Sequence, residues 1–150
     1  MYQNGEDAMS EEEIKFPDVN YGDNNKDKYQ ELTFEDWSPF KDHAYWEIFI
    51  FSMSYGFAKN LEPIEPTGKG TINAKVLAPP VRHLMRALAI KDTGNISVIK
   101  DSAKVARICE KYANAGFQEV YARIKNRPSE KPIEEIFSDM ISEINRNNAI

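Results

Sequence analysis

Apolar residues recur along this chain at helical rather than strand spacing. The clearest case is Ile133, Ile136, Phe137, Met140, Ile141 and Ile144, which fall at i, i+3, i+4, i+7, i+8 and i+11 and predict an amphipathic helix. Pro132 stands at its start, and Glu134 and Glu135 complement the positive end of its dipole. From Lys41 to Asn60 the pattern changes: Tyr45, Trp46, Ile48, Phe49, Ile50, Phe51, Met53, Tyr55 and Phe57 are apolar on nearly every side. Such a helix belongs at the centre of a bundle, with Ser52 and Ser54 small enough to admit close neighbours.

Two further stripes lie between these. Pro79-Pro80 opens a helix with Val81, Leu84, Met85 and Leu88 on one face, and Asp92-Thr93-Gly94-Asn95 closes it. Asp101 or Ser102 caps the next, whose stripe is Val105, Ile108, Cys109 and Tyr112. Glycine suits a left-handed C-terminal position, so Asn114-Ala115-Gly116 is a candidate stop. Phe117, Val120, Tyr121 and Ile124 then form a separate short helix or, if the turn continues, part of the same one. Ile96–Ile99 is too brief to assign. Pro63, Pro66, Gly68 and Gly70 make 61–78 a loop, with room for a short strand at Thr71–Leu77. The expected fold is mainly α: a compact bundle of four to six helices around the buried aromatic helix, with at most a minor short β-hairpin.

Charge divides the chain. Residues 1–32 hold nine acidic residues against Lys15, Lys26 and Lys28, a net of −6, while the whole chain carries −5. With few large apolar residues and a Gly22-Asp23-Asn24-Asn25 cluster, 1–32 reads as a disordered acidic tail, either a solubilising leader or an arm for a basic partner. Order is expected from Thr33, where Thr33-Phe34-Glu35-Asp36 resembles a capping box, giving a single helical domain over 33–150. A chain of 150 residues with 41% hydrophobic content suffices for one core. No run approaches the roughly 18 apolar residues of a membrane span, no signal peptide is evident, and the lone Cys109 has no disulfide partner, so a cytoplasmic protein without a membrane role is expected.

The motifs of catalysis are missing from the pattern. Gly68-Lys69-Gly70-Thr71 lacks the upstream glycine and the strand and helix of a phosphate-cradling loop. His43 and His83 lie on different helices outside metal-ligand spacings. Cys109 sits on an apolar stripe, and the neighbouring acids Glu35/Asp36 and Glu134/Glu135 point apart on their helices. The chain is therefore expected to be no enzyme and to use no metal or cofactor. One positive feature remains: residues 79–125 hold nine bases against four acids, a net of +5. Arg82 and Arg86, and Arg107 and Lys111, are each one turn apart, so with Lys104 they form a candidate phosphate-tracking surface. A solvated face, or a dock for the acidic tail, is the competing interpretation.

Trp46, Phe49, Met53, Gly56-Phe57-Ala58, Glu62-Pro63 and Tyr112-Ala113-Asn114-Ala115-Gly116-Phe117 together resemble the Dnd system-associated protein 4 family over roughly residues 40–145. The resemblance implies an accessory protein encoded beside DNA phosphorothioation and restriction genes, in DNA modification or antiphage defence. It brings no catalytic residue with it, because the shared motifs are structural. Two functions follow. One is a non-enzymatic module that binds protein partners of a DNA-modification or restriction system; the alternative is a nucleic-acid-binding domain that uses Arg82, Arg86, Lys104, Arg107 and Lys111.

Overall fold

Two long helices crossing at a pair of glycines organise the fold. A computed structural model describes residues 15–127 and 133–148. In chain order these form β1 (Val19–Asn20), α1 (Lys26–Phe34), α2 (Tyr45–Ala58), β2 (Thr71–Ile72), α3 (Pro79–Thr93), α4 (Ser102–Lys125) and α5 (Ile133–Asn148), with single 3-10 turns at Asp23–Asn25, Ala74–Val76 and Ile96–Lys100. The mainly helical class and the buried aromatic helix are as expected. None of the described helices is long and apolar enough to cross a membrane.

Local signals explain most boundaries. The Glu47 carboxylate accepts the Ala44 N–H at 3.0 Å at the start of α2, supplying a backbone donor there with its partner. Pro79 and Pro80 occupy the first turn of α3, and Gly94 ends it at φ 68°, a left-handed position suited to glycine. Asp101 caps α4 by accepting the Lys104 N–H at 3.1 Å. The Ile96–Ile99 run is a 3-10 turn that buries Val98. Pro132, read as the start of α5, lies outside the described residues.

Asn114-Ala115-Gly116 does not end α4, which runs unbroken to Lys125. A Cβ on Gly116 would lie 1.9 Å from the Ser52 carbonyl oxygen, and one on Gly56 2.4 Å from that of Tyr112. These glycines let the antiparallel backbones of α2 and α4 touch, so Gly116 is a contact surface rather than a stop. Ile48, Phe49, Met53 and Tyr55 of α2 then meet Val105, Cys109, Phe117 and Val120 of α4 in one buried cluster.

The N-terminal expectation needs correction. Residues 15–32 are not a disordered tail: Phe16, Val19, Tyr21, Tyr29 and Leu32 are all buried in the core. Order does not start at Thr33, which lies in the last turn of α1 and donates its hydroxyl to the Tyr29 and Gln30 carbonyls at 3.2 and 3.1 Å. Composition averaged over 1–32 concealed five well-spaced apolar anchors, whose burial offsets the cost of ordering. The tail assignment for residues 1–14 lies outside the described residues. The short strand foreseen at Thr71–Leu77 is confined to Thr71–Ile72, and it pairs with the N-terminus rather than in a local hairpin: Val19 opposes Ile72 and Asn20 opposes Thr71, antiparallel.

Candidate functional site

α4 carries a polar stripe on its N-terminal-facing side: Arg107, Glu110, Asn114 and Gln118, at i, i+3, i+7 and i+11. Glu110 is only 3% exposed, yet each of its oxygens is engaged. Arg107 donates Nε to Oε1 and Nη2 to Oε2, both at 2.7 Å, and the Asn20 N–H adds a third bond at 2.8 Å. A buried carboxylate needs this compensation, and the two-pronged guanidinium supplies it with fixed geometry. The bond to Glu110 in turn raises the Arg107 pKa. One turn along, Asn114 accepts from Asn25 Nδ2 and Gln118 Nε2, at 2.9 and 3.0 Å, and donates to the Ile64 and Glu65 carbonyls. The stripe thus clips the N-terminal segment and the 61–70 loop onto α4.

Beside Arg107 lies a cleft of about 400 Å³ walled by Asp18, Val19 and Asn20 of the β1 segment, the Glu65–Thr71 loop and α4. The loop is held tightly. Asn20 Oδ1 accepts the Gly22 and Gly70 N–H groups while its Nδ2 donates to the Gly68 carbonyl. The Tyr21 ring covers Gly70, where a Cβ would approach it to 2.8 Å, and Gly68 adopts φ 69° against Asp23. Lys69 therefore stands at the cleft on a braced turn. The sequence dismissed this loop as a phosphate cradle, and no helix N-terminus adjoins it here.

The five candidate nucleic-acid residues do not share one free face. Arg82 and Arg86 of α3 bracket the Phe16 ring, with guanidinium carbons 5.3 and 5.6 Å from its centre. Arg82 also donates to the Ala74 carbonyl at 2.8 Å. Arg107 is committed to Glu110, and Lys111 lies 3.7 Å from Glu65. Lys104 is exposed in the first turn of α4. Further along α4, Arg123 pairs with Glu143 of α5, and Lys125 pairs with Glu31 of α1. Much of the +5 segment is thus balanced by carboxylates contributed from elsewhere in the fold.

A second network joins three helices. Tyr55 of α2 donates to Glu119 at 2.7 Å, and Glu143 takes Lys59 Nζ and Arg123 Nη1 at 2.8 and 2.7 Å. The Arg123 and Lys59 hydrogen bonds hold the Glu143 carboxyl down to about 2. Cys109 is fully buried; its thiol donates to the Met85 carbonyl at 3.5 Å, and burial pushes its pKa up. His43 contacts Glu47 and His83 contacts Arg86, while the described residues bring together no group of three or more His, Cys, Asp or Glu side chains fit for a metal.

Sequence reasoning found Arg107 but missed Glu110, Asn20, Asp18 and Lys69, its neighbours at the cleft. The i, i+3 spacing of Arg107 and Glu110 was the visible signal for one of them. The family model for DNA sulphur modification system-associated protein 4 matches residues 19–149. The chain belongs to that family. The match begins at β1, so it includes residues 19–32 of the segment that composition assigned to a tail. No curated protein and no solved structure gives a match.

Proposed function

We propose that this member of the DNA sulphur modification system-associated protein 4 family is a non-enzymatic module that binds protein partners of a DNA-modification and antiphage defence system. The observation that carries the reading is the internal pairing of four of the five bases on α4. Arg107, Lys111, Arg123 and Lys125 face Glu110, Glu65, Glu143 and Glu31, so a helix that looks phosphate-tracking in sequence spends its charge on the fold. A DNA-reading helix keeps such side chains for phosphates and base edges.

The second reading, direct DNA binding, is favoured by the exposure of Lys91, Lys100 and Lys104 on α3, the turn after it and the start of α4. Titrating the full chain with each purified protein of the modification system, and separately with duplex DNA over a salt series, distinguishes the two. A protein complex with negligible DNA affinity at physiological salt is expected. Tight DNA binding whose log affinity falls with log salt at about 0.9 per phosphate contacted would overturn it.

A further inference from the structure

Where α3 gives way to α4, the chain turns three apolar side chains outward among three lysines. Leu84, Ala87 and Lys91 fall at i, i+3 and i+7 on the exposed side of α3. In the 3-10 turn that follows, Val98 is buried while Ile96 and Ile99 face solvent, and residues three apart in such a turn eclipse one another. Leu84, Ile96 and Ile99 are 44%, 70% and 39% exposed. The turn packs against α3 and is braced: Asn95 Oδ1 accepts the Ser97 N–H and hydroxyl at 3.0 and 2.8 Å, and the Thr93 hydroxyl donates to the Ala89 carbonyl at 2.8 Å. A backbone fixed this way loses little freedom when a ligand covers it.

Charge and hydrophobicity together decide the class of ligand. Lys91, Lys100 and Lys104 are exposed and make no ion pair among the described residues, unlike the four paired bases of α4. The acids nearby are already engaged. Asp101 caps α4 at the positive end of its dipole, and Asp92 accepts the Tyr112 hydroxyl, pointing apart from the adjacent Lys91. A nucleic-acid backbone would satisfy the lysines and leave the isoleucines in water. A membrane needs a continuous apolar helix face, and on α3 Met85 and Leu88 are buried in the core, leaving Leu84 alone. An acidic peptide with interspersed apolar side chains meets both sets. Resting on the protein-partner reading above, we infer that this surface docks an acidic, apolar segment of the protein partner, its carboxylates on Lys91, Lys100 and Lys104 and its apolar side chains on Leu84, Ile96 and Ile99.

The probe is a peptide of alternating Glu-Glu and Leu-Leu pairs, titrated into the full isotope-labelled chain and followed by NMR. Shifts centred on residues 84–104 are expected, with none from an analogue carrying Gln for Glu or from one carrying Ser for Leu. Lys91→Glu with Lys100→Glu should weaken binding about tenfold, since two exposed ion pairs become repulsions. Ile96→Ser with Ile99→Ser should weaken it by a similar factor through lost apolar burial. Both double variants should keep a Tm close to that of wild type, because these side chains lie outside the core. Equal shifts with either analogue, shifts elsewhere, no shifts, or an equal response to duplex DNA or to vesicles of anionic lipid would each overturn the assignment. The purified proteins of the modification system separate this failure from that of the reading beneath it. A system protein that binds wild type and both double variants equally removes the docking surface and leaves the protein-partner reading standing. If none of them binds while the peptide does, that reading fails and the preference of this surface for acidic, apolar peptide stands.

Discussion

Replacing Gly116 by alanine sets a local rule against a tertiary one. In the middle of a helix, Ala is favoured over Gly by about 1 kcal/mol, so propensity alone predicts a more stable protein. The added Cβ, however, would sit 1.9 Å from the Ser52 carbonyl oxygen and 2.9 Å from the Gly56 nitrogen. Both are backbone atoms, so no side chain can rotate away. Real Cβ atoms essentially never come within 3.0 Å of such a neighbour, so α2 and α4 must part by about 1 Å, and a gap of that size forfeits roughly a quarter to a half of the attraction at each contact. Overpacking of this kind costs about 1–3 kcal/mol, and a rigid backbone on both sides places it at the upper end. After the propensity gain, Gly116→Ala should destabilise by about 2 kcal/mol and lower Tm by roughly 4–8 °C.

Thermal unfolding followed by far-ultraviolet circular dichroism measures this directly. Gly94→Ala is the control: Gly94 has φ 68° with nothing within 4 Å of the added Cβ, so only left-handed strain of about 1 kcal/mol applies. Because Gly56→Ala opens the same crossing, its loss combined with that of Gly116→Ala should fall short of the sum. An unchanged or raised Tm for Gly116→Ala would show that the two helices do not meet backbone to backbone.

Three further outcomes follow from the polar networks and the core. The Glu143 pKa, depressed to about 2 from 4.5, means its contribution is complete above the ordinary carboxylate range and is lost as pH falls through about 2. Glu143→Gln should therefore cost about 1 kcal/mol at neutral pH, allowing for solvent screening, and its urea unfolding curve should approach that of wild type as pH drops below 4.5; a constant gap would refute the linkage. Arg107→Ala should cost about 3 kcal/mol because it strands a buried carboxylate, and adding Glu110→Gln should restore part of the loss, whereas strictly additive losses would mean the pair is uncoupled. The buried Cys109 thiol, its pKa raised, should resist a thiol reagent in the native protein and react once urea unfolds the chain; rapid native labelling would contradict its burial.

Periodicity made α3 and α5 legible because each shows an apolar stripe opened by a proline, and α2 was legible because its residues are apolar on nearly every side. The continuity of α4 was not, since Gly116 carries the same chemical signature at a helix stop and at a close helix crossing. Only its partners, Ser52 and Gly56 some sixty residues away, distinguish the two. The cleft was half legible. Arg107 stood out by charge, but Glu110 counted as one acid in a sum, although burial makes it the group that fixes the arginine. Lys69 belonged to a loop judged against the wrong motif, and its nearness to α4 comes from Asn20 and Tyr21, which the charge average had placed in a tail.

That average makes a prediction which the structure reverses, and the difference is measurable. A chain cut at residue 33, the boundary composition suggests, loses Phe16, Val19, Tyr21, Tyr29 and Leu32, none more than 5% exposed. Burying one such side chain contributes about 1.5–3 kcal/mol, and five together rival a domain's whole net stability of about 5–15 kcal/mol, even after a discount for residual contacts in the unfolded chain. The cut also bares Phe117 and Tyr45, whose rings pack on Tyr29 at centroid distances of 4.5 and 5.5 Å, and it removes the Asn25 donor from the buried Asn114. Residues 33–150 alone should therefore lack a cooperative thermal transition and lose near-ultraviolet dichroism, while a chain starting at Lys15 should keep both. Cooperative unfolding of the 33–150 fragment at the wild-type Tm would mean that the clip between α4 and the N-terminal segment contributes nothing, and that the charge average had found the true edge of the domain.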